Sequence, residues 1–444
     1  MAETSALLTD LYQLTMLQTY FDRGMNETAV FEFFVRKMPE GRTFLIAAGL
    51  DQVLGYLEAL RFSDAELDWL ERCGRFHPRF VASLADLHFT GDVTAMREGT
   101  VFFPHEPILR ITAPLREAQL VETRIINLLQ FQTMIASKAA RIRLVAPHQL
   151  LVDFGLRRAH GAEAGLLSAR ASFLAGFDGT SNVLAAMRWN LPMFGTMAHS
   201  FIQTHDDECM AFENFARSHA NSNTLLLDTY DTEAAAQALI PLSKKLAKEG
   251  ISIQSVRIDS GDLSEHARRV RAILDAGGLN QISIFASGNL DEYSIAELNA
   301  KCAPINGFGV GTRMNTSADR PYLDCVYKLQ EYAGTPRRKR SEGKATWPGR
   351  KQVFRTFNAT EIMSGDTVTI ESDTQPGLPL LSPVMIAGRR LAPSSSMQIA
   401  RAETIVGLKS LPLTHDRLEP HASYPVAVSA ALQTLADSVD AQTR

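Results

Sequence analysis

The chain has 444 residues, 45 Lys and Arg against 49 Asp and Glu for a formal charge of −4, and 45% hydrophobic against 21% charged residues. That length gives room for about two or three domains with a well-buried core, and the composition excludes disorder and collagen-like repeats. The near-balanced charge argues against a dedicated nucleic-acid or membrane-surface binder.

Cys73, Cys209, Cys302 and Cys325 lie far apart and form no CxxC or Cys/His cluster, so neither a zinc site nor a disulfide framework is expected. The first ten residues lack a basic stretch followed by an apolar one, and no uncharged apolar run of ~18 residues occurs. A soluble cytoplasmic protein is the expectation.

In chain order, the first ~145 residues mix strand-like pieces at 29–35 and 101–111 with helical spacing at 62–71 and 117–138, an α+β region. From about 150 to 312, short apolar runs with polar tips alternate with helical stretches. Seven strands are predicted, at 150–155, 173–178, 193–199, 224–228, 253–259, 282–287 and 305–311. Helices are predicted at 162–174, 206–219, 233–248, 263–276 and 291–300. The tips His199, Asp228, Asp259 and Ser287 follow one another at 29, 31 and 28 positions, a βα period that fits a barrel or an open parallel sheet. Both collect ligand groups at the C-terminal ends of their strands.

After Leu329 the basic run Arg337-Arg338-Lys339-Arg340 leads through Gly343 and Lys344 to strand-like 353–357 and 367–370. It resembles a nuclear-localisation or nucleic-acid patch, but in a chain of net charge −4 it reads as a solvated loop, or as a mobile cover over polyphosphate. The tail from Thr414, with Pro420 and Pro425, carries no recognisable chemistry.

Arg257-Ile258-Asp259-Ser260-Gly261-Asp262 closes one predicted strand and opens the next helix, where free backbone N–H groups suit an anion and Asp259 suits vicinal hydroxyls. A plain βα turn with an aspartate cap explains this fragment equally well. Ser287-Gly288-Asn289 and Gly309-Val310-Gly311-Thr312 follow the next two strands, and glycine turns on consecutive late strands favour phosphate. His199 gains weight by sharing a predicted rim with Asp153, Asp228 and Asp259. In Asp153-Phe154-Gly155-Leu156-Arg157-Arg158 a phenyl face and two guanidinium groups suit a flat, carboxylate-bearing heterocycle, with a core Phe and surface arginines as the alternative. No Gly-x-Ser-x-Gly, HExxH or Walker A pattern occurs.

Together these stretches resemble the nicotinate phosphoribosyltransferase family. The similarity takes in Thr9 to Met16, Phe31 to Arg36, Glu122 to Arg141, Asp153 to Arg158, Gly195 to Ser200, Arg257 to Asp262, Ser287 to Asn289 and Gly309 to Met314, in family order. The resemblance implies an irregular seven-stranded α/β barrel of the type II phosphoribosyltransferases. It would occupy residues 146–330, with an α+β domain built from 1–145 and completed by 331–444. The implied reaction joins nicotinate to 5-phosphoribosyl-1-diphosphate, giving nicotinate mononucleotide and diphosphate, with coupled ATP hydrolysis, as the first step of NAD salvage from nicotinate.

The resemblance further implies that His199 is phosphorylated by ATP, with Arg257 and Asp259 catalytic. Tyr12, arriving from the partner subunit of a homodimer, and Phe154 would sandwich the pyridine ring, with Arg157 and Thr196 nearby. Gly261, Ser287, Gly288, Asn289, Gly309, Gly311 and Thr312 would hold phosphate. Mg2+ would bind through the diphosphate without direct side-chain ligation. Nicotinamide-using relatives carry an aspartate where this chain has Ser181, so neutral Ser181 favours the acid over the amide.

Three other readings stay in view. Nicotinamide phosphoribosyltransferase is opposed by Ser181. A phosphate-handling lyase or isomerase would want a lysine or acid/base carboxylate at a strand tip, where Lys138 is the one inward lysine and sits on a predicted helix. A non-catalytic nucleotide-binding barrel is opposed by intact His199, Arg257 and Asp259.

Overall fold

Aspartate caps, three of them placed just after strands, start the helices that carry the chain back. Asp207, Asp231, Asp262 and Asp291 each accept a first-turn N–H, opening the helices Glu208–Ser218, Thr232–Ala247, Leu263–Ala276 and Glu292–Ala300. Each such cap contributes about 1 kcal/mol. The structure, a computed structural model, describes residues 5–342, 344–412, 418 and 423–442. It divides into two units, Lys138–Asp319 on one hand and Met1–Ser137 with Arg320–Arg444 on the other.

The Lys138–Asp319 unit contains six parallel strands: Leu150–Asp153, Gly179–Thr180, Thr224–Leu226, Ser255–Ile258, Ser283–Ser287 and Gly307–Val310. Numbered in that order, they lie second, first, sixth, fifth, fourth, third across the sheet. Leu151, Val152, Leu225, Val256, Ile258, Ile284, Phe308 and Val310 are buried, the near-continuous apolar strand pattern of a sheet covered on both faces.

Two predicted strands differ. The helix Ala162–Leu174 absorbs Phe173 and Leu174, and the strand begins only at Gly179. Segment 193–199 makes one isolated parallel bridge, Met193 to Thr180, and His199 opens the short helix His199–Gln203. With Gly195 inside it and Thr196 its one β-branched residue, that segment has little side-chain packing to hold a ladder. The hydrogen-bonded sheet therefore has six strands, not seven.

The other unit holds a seven-stranded sheet in which Thr28–Val35 lies between Cys325–Tyr332 and Pro107–Pro114, antiparallel to both. Residues from before and after the parallel unit thus build one sheet. Cys325–Tyr332, expected in segment 146–330, belongs here because its ladder partner is Thr28–Val35. None of the described helices is long and apolar enough to cross a membrane.

Candidate active site

The C-terminal ends of the parallel strands open onto a cavity of about 440 Å³. Phe154, Leu156 and Arg157 line it after the first strand and Ser181 after the second; residues 195–199, Leu226, Arg257 and Asp259 complete it. All belong to the Lys138–Asp319 unit.

Arg257 organises this cavity. Its Nε donates to Ser287 Oγ at 2.8 Å, Nη1 to Thr196 Oγ1 at 2.7 Å and Nη2 to Asp259 Oδ1 at 3.0 Å. The guanidinium also lies over the Phe154 ring, 5.7 Å from its centroid, within cation–π range. Burial pushes the Asp259 carboxyl up, but the Ser287 hydroxyl and the Arg257 charge outweigh it and hold the group below its ordinary range. Asp259 is therefore an anion at neutral pH.

His199 and Asp228 stand beside this pair. His199 Nδ1 contacts Thr229 Oγ1 at 3.1 Å, and Nε2 lies 3.9 Å from Asp259 Oδ2. In the tautomer that donates Nδ1–H to Thr229, Nε2 keeps the lone pair. Asp228 Oδ2 accepts the Asp259 N–H at 3.0 Å and the Ser260 hydroxyl at 2.5 Å. Asp228 Oδ1 is buried without a hydrogen-bond partner, leaving an acceptor unspent. Among the described residues no group of three His, Cys, Asp or Glu side chains could hold a metal ion by itself.

The glycine turns separate into two kinds. Gly288 has φ +102°, and a Cβ there would fall 2.1 Å from the Asp259 carbonyl oxygen, so only glycine fits. Asn289 follows in the left-handed region at φ +53°. Gly261, at φ +74°, makes room for the His266 ring. Gly309 is different: it lies inside the strand Gly307–Val310, and a Cβ would meet the Phe154 ring at 2.5 Å. Its contribution here is space for Phe154. The Ser287 hydroxyl is also spent, donating to Asp259 while accepting from Arg257. Gly311 caps the helix Thr312–Asn315, so Thr312 is exposed at its first turn.

On the Phe154 side, the ring packs at 5.7 Å against Phe285, and Arg157 is exposed on the turn Leu156–Arg158. Ser181 donates its N–H and its hydroxyl to the Asp153 carbonyl, at 2.9 and 3.1 Å. Asp153, expected on the rim, is 1% exposed, because Thr180, Gly155 and Asn315 close around it. Tyr12 lies in the other unit, on the helix Leu11–Asp22, and is 47% exposed.

Sequence reading missed Thr229, although it follows the strand-tip Asp228. It also missed Arg313, which follows the Gly309-to-Thr312 turn and joins two loops by donating to Asn289 Oδ1 at 2.9 Å and to Asp291 Oδ2 at 2.5 Å. Lys138 is buried on the helix Glu122–Val145, paired with Glu292 at 2.6 Å and Asp319 at 2.8 Å, and is no strand-tip nucleophile. In the basic run, Arg338 and Arg340 face Asp440 at 3.4 and 3.9 Å, and Arg338 also covers Trp347. Both pair with the helix Ala430–Gln442; Gly343, Thr414 and Pro420 lie outside the described residues.

Residues 7–130 match the nicotinate phosphoribosyltransferase N-terminal domain model, and residues 149–345 match the nicotinate phosphoribosyltransferase family model. A nicotinate phosphoribosyltransferase of Mycobacterium tuberculosis is 48% identical over 96% of this chain and 91% of its own length. One from Bacillus subtilis is 39% identical over 83% and 76%. The crystal structure of human nicotinic acid phosphoribosyltransferase superposes with a TM-score of 0.87 at 29% identity, covering 97% of this chain and all of that one.

Proposed function

Because the chain belongs to the nicotinate phosphoribosyltransferase family, we propose that it joins nicotinate to 5-phosphoribosyl-1-diphosphate, releasing nicotinate mononucleotide and diphosphate in NAD salvage. The observation that carries the reading is the Arg257 cluster. One guanidinium covers the Phe154 ring and fixes Asp259, whose other oxygen faces His199. A flat ring seated on Phe154 would lie beside Arg257 and Arg157, the cations a pyridine carboxylate needs.

Nicotinate nitrogen attacks the ribosyl carbon as the bond to diphosphate breaks, through an oxocarbenium-like transition state that asks for alignment more than activation. Asp259 would hold the ribose hydroxyls and, as a carboxylate, favour the developing positive charge. The 5′-phosphate would meet the Ser287-to-Asn289 turn and the Gly311–Thr312 helix start, where Gly288, Asn289 and Thr312 are exposed.

For ATP coupling, His199 Nε2 takes the γ-phosphoryl group: an N–P bond forms, the P–O bond to ADP breaks, and water later removes the phosphate. Thr229 holds the ring with Nδ1 away from the reaction. Mg2+ bound to the diphosphate supplies charge neutralisation for the leaving group. The unpartnered Asp228 Oδ1 fits such an ion or its water shell.

The finer architecture of this reading is a seven-stranded barrel, with segment 193–199 between the second and third strands of the sheet. The bridge between Thr180 and Met193 supports that placement. The homodimer supplies Tyr12 to the opposite face of the pyridine. Product analysis of the purified chain with nicotinate and, in parallel, nicotinamide tests the reading; nicotinate mononucleotide is expected, and no product from nicotinate would defeat it.

A further inference from the structure

Asp153 ends the first parallel strand immediately behind the Phe154 turn and is 1% exposed. Its carboxylate receives three uncharged donors. Gly155 N–H at 2.9 Å and Asn315 Nδ2 at 3.2 Å reach Oδ1, and the Thr180 hydroxyl at 2.8 Å reaches Oδ2. Its carbonyl holds both Ser181 donors. One residue thus ties together the Phe154 turn, the Ser181 loop and the helix Thr312–Asn315.

The arrangement has little slack. A Cβ at position 155 would fall 0.9 Å from Asn315 Oδ1, so the Asn315 amide rests directly on Gly155. Of the charged side chains on the elements packed around Asp153, Arg157, Arg158 and Arg188 are exposed, Glu163 is half-buried, Asp178 is paired with Arg143, Arg313 is paired with Asp291, and Arg170 is buried; none bonds to the carboxylate. Arg257 is committed to Ser287, Thr196 and Asp259. A buried carboxylate with no countercharge is costly to keep ionised.

We propose that Asp153 is a positioning residue for the pyridine substrate, its ionised carboxylate locking the Phe154 turn and the Ser181 loop in the arrangement that receives nicotinate. The inference rests on the nicotinate-transfer reading. Protonation of Asp153 at Oδ2 leaves the two bonds to Oδ1 in place but turns the Thr180 hydroxyl into an acceptor that already takes the Asn182 N–H, so the Thr180 proton loses its acceptor in a fully buried site and the hold on the Ser181 loop weakens. Burial pushes this carboxyl up to about 6, against the Gly155 N–H and Thr180 hydroxyl that favour the anion. Release therefore falls in a range where the enzyme can be assayed.

The test is the nicotinate KM of the full chain at saturating phosphoribosyl diphosphate, from about pH 8 to about pH 5, for wild type, Asp153→Asn and Thr180→Val. The wild-type KM rises about tenfold on acidification while kcat moves less than about twofold; Asp153→Asn carries the raised KM throughout, and Thr180→Val shows a smaller rise. A flat wild-type profile, or a wild-type KM in Asp153→Asn, overturns the proposal. No product from wild type at any pH overturns the functional reading and this proposal together.

Melting provides a check independent of turnover. Since the folded carboxyl titrates above its unfolded value, its stabilisation is fully present below the unfolded pKa and is lost as pH rises through about 6. Asp153→Asn is expected to melt above wild type near about pH 8 and to lose that margin near about pH 4. The same difference at both pH values would mean that the carboxylate is not held ionised against a penalty, and would also overturn the proposal.

Discussion

Ser181 donates its hydroxyl proton to the Asp153 carbonyl at 3.1 Å, so it meets the cavity as a neutral group whose proton is already placed. It does not grip a carboxylate; it leaves one unopposed. In the proposed reading the attraction would come from Arg157 and Arg257, which line the same cavity. An aspartate at this position would set a like charge against nicotinate, a juxtaposition that costs several kcal/mol, while offering an acceptor to a carboxamide N–H2. Ser181→Asp is therefore expected to lower kcat/KM for nicotinate by about 100-fold and to shift preference toward nicotinamide. Nicotinate kcat/KM unchanged in that variant would remove Ser181 from substrate choice. The residue type was legible in the sequence, but its hydrogen bond was not. Asp153 shows the same limit more sharply: Asn315, 162 positions away, helps to bury it, and no local pattern signals that contact.

Helix 263–276 was readable to the residue because the Asp262 cap and the apolar periodicity agree, while 162–174, opened by Gly161 and buried along its whole second half, was readable from its good helix formers. Segment 193–199 was not, since its apolar content resembles a strand while Gly195 and a near-absence of β-branched side chains leave it a single bridge. Within the strand Gly307–Val310, the glycine pattern suggested a phosphate turn, whereas position 309 accommodates the Phe154 ring. The two roles give opposite outcomes. Gly309→Ala puts a methyl 2.5 Å from Phe154 Cδ2, and the ring must move. Nicotinate KM is expected to rise about tenfold with phosphoribosyl diphosphate KM within about twofold. A rise confined to phosphoribosyl diphosphate would restore the phosphate role.

At the scale of the whole molecule, the βα alternation and the flanking α+β region were legible from periodicity, and the strand tips located the cavity. Invisible in the sequence was the pairing of Cys325–Tyr332 with Thr28–Val35, a ladder whose strands are almost 300 residues apart. The proposed sharing of sites between subunits has its own test. Tyr12→Ala and His199→Ala each impair every site of their homodimers, but a co-expressed mixture forms heterodimers with one site carrying both residues. Mixing equal amounts is expected to recover about a quarter of the wild-type ATP-stimulated rate. No recovery above the two single variants would place Tyr12 in its own subunit's site.

The most direct test of the account is the rate of nicotinate mononucleotide formation with and without ATP, in wild type and in His199→Ala. Stimulation by ATP in wild type that disappears in the variant, with the ATP-independent rate retained, is the predicted result. ATP stimulation of equal size in both proteins would contradict it, because the phosphoryl group would then be going somewhere other than His199.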